Sequence, residues 1–310
     1  MEQLRNILEQ FGISHGDWKF EKASQGLIND TFFVQLAGER KYVLQRINEK
    51  VFPNSSALIQ NLEKTLPFLS ASDYVSVKYF RTSKGASFYR DTGGQLWRMM
   101  SYIPFSTSFH TSSEPKIAFE AGRIIGVFHR QVSQMDPRNL KTTLDRFHDL
   151  EWRMEQYREA LKRASKNDLQ RTAELQDQII GLSKELEDAD STHLPIRVCH
   201  NDTKLNNILF SEDTEALCVL DLDTLMPGLL LYDIGDAVRS LSNPAAEEES
   251  DLNKIDFSVG MFGAFFDGLA LSKDVFAEKE IASLSLSGFY MPLLHGIRAY
   301  TVFILGNVYY

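Results

Sequence analysis

The sequence predicts an α+β fold in which a β-rich N-terminal lobe, residues 1–103, precedes a mostly helical C-terminal lobe, residues 104–310. Short runs rich in aromatic and β-branched residues fill the first hundred positions. From Pro104 onward, apolar residues recur mainly at helical spacing. The length of 310 residues and the hydrophobic share of 43% suffice for two domains or for one two-lobed unit.

Six segments are expected to form an antiparallel sheet in the N-terminal lobe, with one helix between the third and the fourth. They read WKFEKAS, DTFFVQL, KYVLQRI, VSVKYFRT, ASFYRD and QLWRMMSYI, and turn-forming residues separate them. The helix is predicted from Asn54 to about Ser70, because leucines recur there at helical spacing. Asn54 or Ser55 is its expected N-cap, since such side chains accept hydrogen bonds from free backbone N–H groups.

The C-terminal lobe is expected to contain helices on both sides of a short strand region. Residues 114–134 form one predicted helix, and residues 149–188 form a charged, solvated pair of helices that breaks near 165–167. Residues 196–223 return to short apolar strands, and the helical pattern resumes from Asp233. One helical face is expected to enter the core through Phe257, Met261, Phe262, Phe265 and Phe266.

Charge and composition exclude several classes of protein. The 33 Lys and Arg residues against 42 Asp and Glu give a net charge of −9, which disfavours binding to nucleic acids or anionic membranes. His295 and Arg298 interrupt the most apolar region, so no membrane span is expected. The N-terminus lacks the pattern of a signal peptide. Cys199 and Cys218 lie in apolar runs and are expected to be buried free thiols, which favours a cytoplasmic location.

The segment VCHNDTKLNNILF, residues 198–210, is the most informative one. It contains Asp202 with Asn207 five positions later, and Asp221 follows in the next apolar run, VLDLD. Phosphoryl transfer to a hydroxyl needs an acceptor for the proton and oxygen ligands for Mg²⁺. Two neighbouring strands would place Asp202 as the base and Asn207 with Asp221 as metal ligands. A single loop Asp or Asn is usually a turn residue, but the conjunction favours this catalytic interpretation.

The same motifs resemble those of the aminoglycoside phosphotransferase and choline kinase superfamily, small-molecule relatives of the protein kinases. The matching stretches are HNDTKLNNILF and VLDLDTLMPGLLLYDIGDAVRS, and the chain is most similar to the N-acetylhexosamine 1-kinases through DTK-x-NN and DLDT-x-MPG. Further matches, among them YVLQRIN and WRMM, extend the similarity over nearly the whole chain. The resemblance implies a bilobal protein-kinase-like fold with an ATP cleft between the lobes.

The resemblance also implies a set of nucleotide-binding residues. Residues 26–31 would be the phosphate-covering turn, without a G-x-G-x-x-G motif, and Arg46 falls where relatives carry a phosphate-binding cation. Glu63 on the following helix would pair with Arg46. Residues 99–102 would connect the lobes and contact adenine, although a core-strand role fits the methionines equally well. The residues implied to bind the nucleotide are Gly26, Asn29, Thr31, Arg46, Glu63, Met100 and Tyr102.

The acceptor site is implied to lie in the helical lobe, at Arg298 and Tyr309 together with Asp202. Asp223 would face the same side as Asp221, where it shares the metal or contacts the substrate. His200 and Asp233 are expected to brace the catalytic loop. Two further positions depart from the family pattern: Leu27 stands where a histidine is frequent, and His295 stands where an acidic residue is usual.

The residues predict an ATP- and Mg²⁺-dependent kinase, and the resemblance implies that it phosphorylates the anomeric hydroxyl of an N-acetylhexosamine, either N-acetylglucosamine or N-acetylgalactosamine. One alternative keeps the reaction but changes the acceptor to an amino alcohol, an aminoglycoside or another sugar. A second alternative is a non-catalytic module that binds a nucleotide or a sugar. The presence of His200, Asp202, Asn207 and Asp221 together argues against this module, because binding alone does not require all four.

Overall fold

The computed structural model describes residues 2–14, 16–23, 28–188, 193–246 and 249–306. Its N-terminal part is an antiparallel sheet with the strand order β1-β2-β3-β6-β4, and β5 pairs with β6. The elements of this part are α1 (Glu2–Gln10), β1 (Lys19–Lys22), β2 (Asp30–Leu36), β3 (Glu39–Ile47), α2 (Ser55–Thr65), β4 (Tyr79–Phe80), β5 (Tyr89–Arg90) and β6 (Leu96–Ser101). The predicted antiparallel sheet is therefore confirmed, although β4 and β5 are shorter than expected.

The two faces of this sheet carry different residues. Register places Thr31, Gln45 and Arg98 side by side across β2, β3 and β6. Because side chains alternate along a strand, Leu44 and Met99 lie on the opposite face, where they join an apolar cluster with α1. The first face is the polar one, and it turns toward the helical part of the molecule.

Helix α2 begins as predicted and ends earlier. The Asn54 side chain accepts a hydrogen bond from the Ala57 N–H group over 3.1 Å, which makes Asn54 the N-cap. The helix ends at Thr65 and continues as a short 3-10 turn over Leu66–Phe68. Pro67 explains the early end, since proline has no N–H group and its ring clashes with the preceding turn.

The C-terminal part is mostly helical and contains two small antiparallel sheets, ordered β10-β9-β7 and β11-β8. Its strands are β7 (Ser106–Thr107), β8 (Ile196–Cys199), β9 (Ile208–Ser211), β10 (Ala216–Val219) and β11 (Met226–Leu229). Its helices are α3 (Pro115–Val132), α4 (Leu150–Arg163), α5 (Lys166–Arg171), α6 (Ala173–Asp188), α7 (Leu230–Leu241), α8 (Val259–Leu269) and α9 (Glu278–Ile304). The predicted break near residue 165 is confirmed, a second one follows at Thr172, and α7 begins three residues before Asp233.

The main core lies between α3, α7, α8 and the strands of the C-terminal part. Helices α3 and α8 approach so closely that a Cβ atom on Gly122 would lie 2.0 Å from the Phe265 carbonyl oxygen. Met261 and Phe265 are buried as predicted. The expectation for Phe257 was wrong: its side chain precedes α8 and is 52% exposed.

Several other expectations concern the chain as a whole. Cys199 and Cys218 are buried and free, as predicted. No helix within the described ranges combines the length and the apolar character that a membrane crossing requires. The boundary between residues 103 and 104 stays a prediction.

Candidate active site

The loop that follows β8 carries Asp202. The Asn207 side chain donates two hydrogen bonds from Nδ2, to the main-chain oxygen and to Oδ2 of Asp202, both 2.8 Å long. The Lys204 ammonium lies 3.2 Å from the same Oδ2 atom. Two donors therefore hold the Asp202 carboxylate, while 23% of its side chain stays exposed and within reach of an incoming group.

Asp221 reaches this loop through the β9–β10 hairpin. The Leu220 N–H group donates to the Asn207 carbonyl over 2.6 Å, which puts the end of β10 against the loop. Asp221 then leaves the strand with φ 55° and ψ 62°, a left-handed conformation that costs about 1 kcal/mol or more for a residue with a side chain. The structure thus brings Asp202, Asn207 and Asp221 together.

One oxygen of the Asp221 carboxyl group has no hydrogen-bond partner among the residues that the structure describes. This oxygen, Oδ1, is buried. Burial, reinforced by the charge of Asp223, raises the pKa of Asp221 to about 7, while Arg98 acts in the opposite direction. Buried polar atoms without a partner are rare in folded proteins, so this oxygen indicates a place for a cation or a donor.

An oxygen-ligating divalent cation fits these residues. Asn207 directs Nδ2 toward Asp202, which leaves its amide oxygen as a ligand, and Asp221 offers the buried Oδ1 atom. Within the described ranges, no group of three or more His, Cys, Asp or Glu side chains is arranged to hold a metal alone. Mg²⁺ is commonly held by one or two protein groups together with phosphate oxygens and water. The donor set therefore suits a cation shared with a phosphate.

Asp223 lies beside Asp221 but is already occupied by protein donors. Its Oδ1 atom accepts from the Arg98 guanidinium, and its Oδ2 atom accepts from Asn29 Nδ2 over 2.7 Å. Arg98 and Asp223 are 4% and 1% exposed, so the ion pair is buried. Of the two aspartates predicted to hold the metal, Asp221 and Asp223, only Asp221 has a carboxylate oxygen with no donor among the described residues.

Arg46 and Glu63 do not form the predicted pair. Arg46 bonds to Asp30 on the neighbouring strand, whereas Glu63 lies 3.6 Å from Arg81. The reason is strand parity, because adjacent residues of β3 face opposite sides of the sheet. Arg46 therefore points away from the face that holds Arg98, and the predicted pairing was wrong.

The remaining residues predicted to bind a nucleotide are placed as follows. Gly26 lies outside the described residues. Thr31 Oγ1 accepts a hydrogen bond from Gln45 Nε2 over 3.0 Å. Met100 is part of β6, and the Tyr102 N–H group donates to a main-chain carbonyl of β3 over 3.1 Å. An adenine contact through the Tyr102 amide would have to replace that bond.

A network of buried groups braces the catalytic loop, as expected for His200 and Asp233. His200 Nε2 lies 2.7 Å from the Leu220 carbonyl oxygen, which joins the loop to β10. The Asp233 carboxylate accepts from the N–H groups of His200 and Asn201 over 2.9 and 2.6 Å. His129 Nε2 lies 3.0 Å from the same carboxylate. Although burial acts in the opposite direction, these donors hold the pKa of Asp233 below its usual value, with the His129 bond strongest among them.

We expect Asp233→Ala to lower the free energy of unfolding by about 3 kcal/mol, because it leaves two backbone donors and a buried histidine without their acceptor. Urea denaturation monitored by circular dichroism measures this change. Asp251→Ala is the matched control, since Asp251 caps an exposed turn through the Asn253 N–H group, and its loss should cost no more than about 1 kcal/mol. Equal losses in the two variants would contradict the bracing role.

Arg298 occupies the region predicted to bind the acceptor. Its guanidinium lies over the Phe147 ring, 5.4 Å from the centroid. Within the part of the chain that the structure describes, this half-buried side chain has no ion-pair partner. Tyr309, the other predicted acceptor residue, lies outside the described residues, as does Leu27.

His295 lies near Arg298 on α9 and is half-buried. Its Nε2 atom is 3.7 Å from Asp236 Oδ1. Burial, followed by the charge of Arg239, lowers the pKa of His295 to about 3, so the ring is neutral at physiological pH. Where relatives are expected to carry an acidic charge, this chain therefore presents a neutral group.

A cavity of about 860 Å³ borders the catalytic loop at Asn201. Its wall combines aromatic rings with acidic and basic side chains, among them Phe147, Tyr232, Tyr290, Asp149, Glu151, Arg146 and Arg158. Its volume is within the range of small-molecule sites. Through Phe147 the cavity adjoins Arg298.

Several residues that organise the site were not predicted to do so. Asn61 Nδ2 donates to the Leu225 and Lys141 carbonyls, both over 2.7 Å, and thereby ties α2 to the segment after Asp221. Asn201 Nδ2 donates to backbone carbonyls of β8 and β11. Arg98 and His129 make the buried contacts to Asp223 and Asp233 described above. The sequence did contain a signal for such residues, namely a polar residue within an apolar run, as Arg98 in LWRMM.

Comparison with known proteins places these features in context. A family model described as the phosphotransferase enzyme family matches residues 19–257. The amicoumacin kinase bound to AMP-PNP and Ca²⁺ superposes with a TM-score of 0.63 at 15% identity, over 98% of this chain and 86% of that one. A microcompartment-associated aminopropanol kinase gives 0.62 at 15% identity over 96% and 94%. Spectinomycin phosphotransferase bound to ADP and spectinomycin gives 0.59 at 12% identity over 100% and 94%.

These structural similarities confirm the predicted fold class. Each of the three structures is covered along most of its length at low sequence identity, so the shared property is the bilobal protein-kinase-like architecture.

Proposed function

The chain belongs to the phosphotransferase enzyme family, and from this premise we propose that it transfers the terminal phosphoryl group of ATP to a hydroxyl of a small molecule. The transfer is direct and in line, without a phosphoenzyme. The observation that carries the proposal is the convergence of Asp202, Asn207 and Asp221, in which one buried Asp221 oxygen has no partner among the described residues. ATP as the donor agrees with the AMP-PNP and ADP named in two of the similar structures.

Each of the three residues has a separate role in the proposed reaction. Asp202 orients the acceptor hydroxyl and takes its proton, because it is a carboxylate with an exposed edge. Asn207 holds Asp202 in place, and its amide oxygen together with Asp221 would hold Mg²⁺. When bound, Mg²⁺ supplies neutralising charge beside the phosphates. The Lys204 ammonium, 3.2 Å from Asp202 Oδ2, is a second group that holds this side chain in place.

We propose an N-acetylhexosamine, phosphorylated at its anomeric hydroxyl, as the acceptor. The Arg298 cation, which has no ion-pair partner among the described residues, supports a neutral acceptor rich in oxygen acceptors. It disfavours a polycationic aminoglycoside by charge repulsion. Aromatic side chains such as Phe147 suit the apolar face of a sugar ring. His295 is neutral and stands where relatives are expected to carry an acidic residue. The site therefore lacks a negative charge that would help to bind a cationic acceptor.

An amino alcohol is the second candidate acceptor. Asp149 and Glu151 at the cavity wall favour it because carboxylates bind an ammonium group. The similarity to an aminopropanol kinase is consistent with this alternative. ADP release in the presence of N-acetylhexosamines, hexoses, amino alcohols and aminoglycosides tests both. The proposal expects the largest kcat/KM for an N-acetylhexosamine. A larger kcat/KM for an amino alcohol would identify the amino alcohol, and not the sugar, as the acceptor.

We expect Arg298→Met to raise the KM for the acceptor by about 10- to 100-fold, because a charge-assisted hydrogen bond contributes about 1.5–3 kcal/mol. The KM for ATP should stay unchanged. Steady-state kinetics with each substrate varied in turn measures both constants. Arg138→Met is the control, since Arg138 is an exposed residue paired with Asp136. An unchanged acceptor KM in Arg298→Met would contradict the role.

A further inference from the structure

A buried contact joins the N-terminal sheet to the turn that carries Asp221. It consists of Arg98 on β6, Asp223 in the turn and Asn29 just before β2, and we refer to these three residues as the interlobe clamp. We propose that Arg98 is a positioning residue, which through Asp223 and Asn29 fixes the conformation of Asp221 and the closure of the two lobes. This inference rests on the proposed function.

The Arg98 side chain is committed to protein partners. It donates to Asp223 through Nη1, and it donates to Gln45 Oε1 through Nε over 2.9 Å and also through Nη2. The planar fork of an arginine is well suited to hold two acceptors in fixed directions. Because Arg98 is 4% exposed, this orientation is maintained without competition from bulk water.

Asn29 closes the clamp from the other side. Its Nδ2 donates to Asp223 Oδ2 over 2.7 Å, while its Oδ1 accepts from the Asn48 N–H group over 2.9 Å. Asn29 and Asp223 are 194 positions apart in the chain. Their hydrogen bond therefore exists only when the sheet and the catalytic part are docked on each other.

The clamp acts on Asp221 through the backbone. Residues Leu222–Thr224 form a 3-10 turn that begins at the left-handed Asp221. The far end of this turn is held by Asn61, which donates to the Leu225 carbonyl over 2.7 Å. With Asp223 anchored in the middle, the turn has two fixed points. A strained backbone conformation persists only where the surrounding structure holds it in place. The contacts at Asp223 and Leu225 hold the left-handed conformation of Asp221 in this way.

Two other roles for Asp223 and Arg98 predict different results. If Asp223 is itself a metal ligand, its carboxylate must remain at position 223. If the clamp only stabilises the fold, activity per folded molecule does not depend on it. Exchanging the side chains of Asn29 and Asp223 reverses which of them donates the hydrogen bond, and the two side chains are nearly equal in size. The exchange keeps the hydrogen bond but moves the carboxylate away from position 223, so it separates these possibilities.

The experiment compares Asp223→Asn, Asn29→Asp and the double variant N29D/D223N with the wild-type protein. Asp223→Asn sets two amide donors against each other and leaves Arg98 without a counter-charge. The double variant restores a donor–acceptor pair between positions 29 and 223. It keeps an acceptor oxygen for Arg98 at position 223 and retains one carboxylate in the clamp, now at position 29. Melting temperatures are measured without nucleotide or Mg²⁺, and kcat and both KM values are measured at a temperature where every variant is folded.

We expect Asp223→Asn to lower the melting temperature and to lower kcat by about 10- to 100-fold, since a displacement of about 1 Å in a reacting site costs a factor of this order. The double variant should recover the wild-type melting temperature and regain kcat to within about threefold. Recovery of the melting temperature alone, with kcat still as low as in Asp223→Asn, would overturn the proposal in favour of a metal ligand. An unchanged kcat in Asp223→Asn would overturn it in favour of a purely structural role.

A charge-removal pair provides the matched control for Arg98. Arg98→Met should lower kcat, whereas Arg90→Met should leave it unchanged, because Arg90 is an exposed residue that pairs with Glu49. Equal kcat values for the two variants would contradict the positioning role. If the wild-type protein transfers no phosphoryl group to any acceptor, the proposed function fails, while the melting temperatures of the swap series still decide whether the clamp exists.

Discussion

Asp202→Asn should lower kcat by about 10³-fold, within the range of 10²–10⁴ that a positioned general base contributes. The substitution keeps the shape of the side chain and an oxygen that accepts from Asn207, but an amide does not take a proton from the acceptor hydroxyl. Because Asp202 and its partner Lys204 are both partly exposed, the melting temperature should change by no more than a few degrees. The KM for ATP should stay within about twofold.

Asp213→Asn is the matched control for this experiment. Asp213 is an exposed residue near the β9–β10 turn, so the same chemical change there should leave kcat unaltered. Single-turnover kinetics distinguishes the loss of the chemical step from a change in product release. A near-normal chemical rate in Asp202→Asn would remove Asp202 from its proposed role as the base.

Asp221→Asn should abolish the dependence of nucleotide affinity on Mg²⁺. The proposed cation depends on the charged Asp221 oxygen, and Asn207 alone offers only a neutral ligand. Asparagine tolerates the left-handed conformation of this position, so the turn should be retained. Isothermal titration calorimetry with ATP, with and without Mg²⁺, should show at least a tenfold gain in affinity from Mg²⁺ for the wild type and none for the variant. An equal gain in both proteins would contradict the assignment.

The same variant should be more stable than the wild-type protein in the absence of metal at high pH. The folded-state pKa of Asp221 is raised from 3.8 to about 7 by burial. A carboxyl group of this kind favours the folded state below pH 4, and this contribution is lost as the pH rises toward and through 7. The melting temperature of Asp221→Asn relative to the wild type should therefore increase between pH 5 and pH 8, and a constant difference would contradict the raised pKa.

The part of the site that could be predicted from the sequence is its local part. Asp202 and Asn207 are five residues apart, and Asp221 follows one hairpin later, so short-range spacing and two strand patterns were enough to bring them together. Asn54 was found for the same reason, since a helix N-cap depends only on its immediate neighbours.

The non-local part of the site could not be predicted in this way. Arg98 and Asp223 are 125 positions apart, and nothing in either segment specifies the docking that joins them. Strand alternation shows that Gln45 and Arg46 face opposite sides, but not which side faces the cleft. Arg46 was assigned to the phosphates by the resemblance, and the register places it on the face opposite Arg98. Phe257 was assigned to the core because the helical pattern was extended past the true start of α8.

The central claim is that the site formed by Asp202, Asn207 and Asp221 transfers a phosphoryl group from ATP to a hydroxyl. It is tested most directly by ³¹P NMR of the wild-type protein with ATP, Mg²⁺ and N-acetylhexosamine, beside the same mixture with Asp202→Asn. The account predicts a new phosphate-ester resonance, coupled to the anomeric proton of the sugar, that appears at the rate of ADP formation and is absent with the variant. No phosphate ester with any hydroxyl acceptor, or an ester formed equally fast by Asp202→Asn, would contradict it.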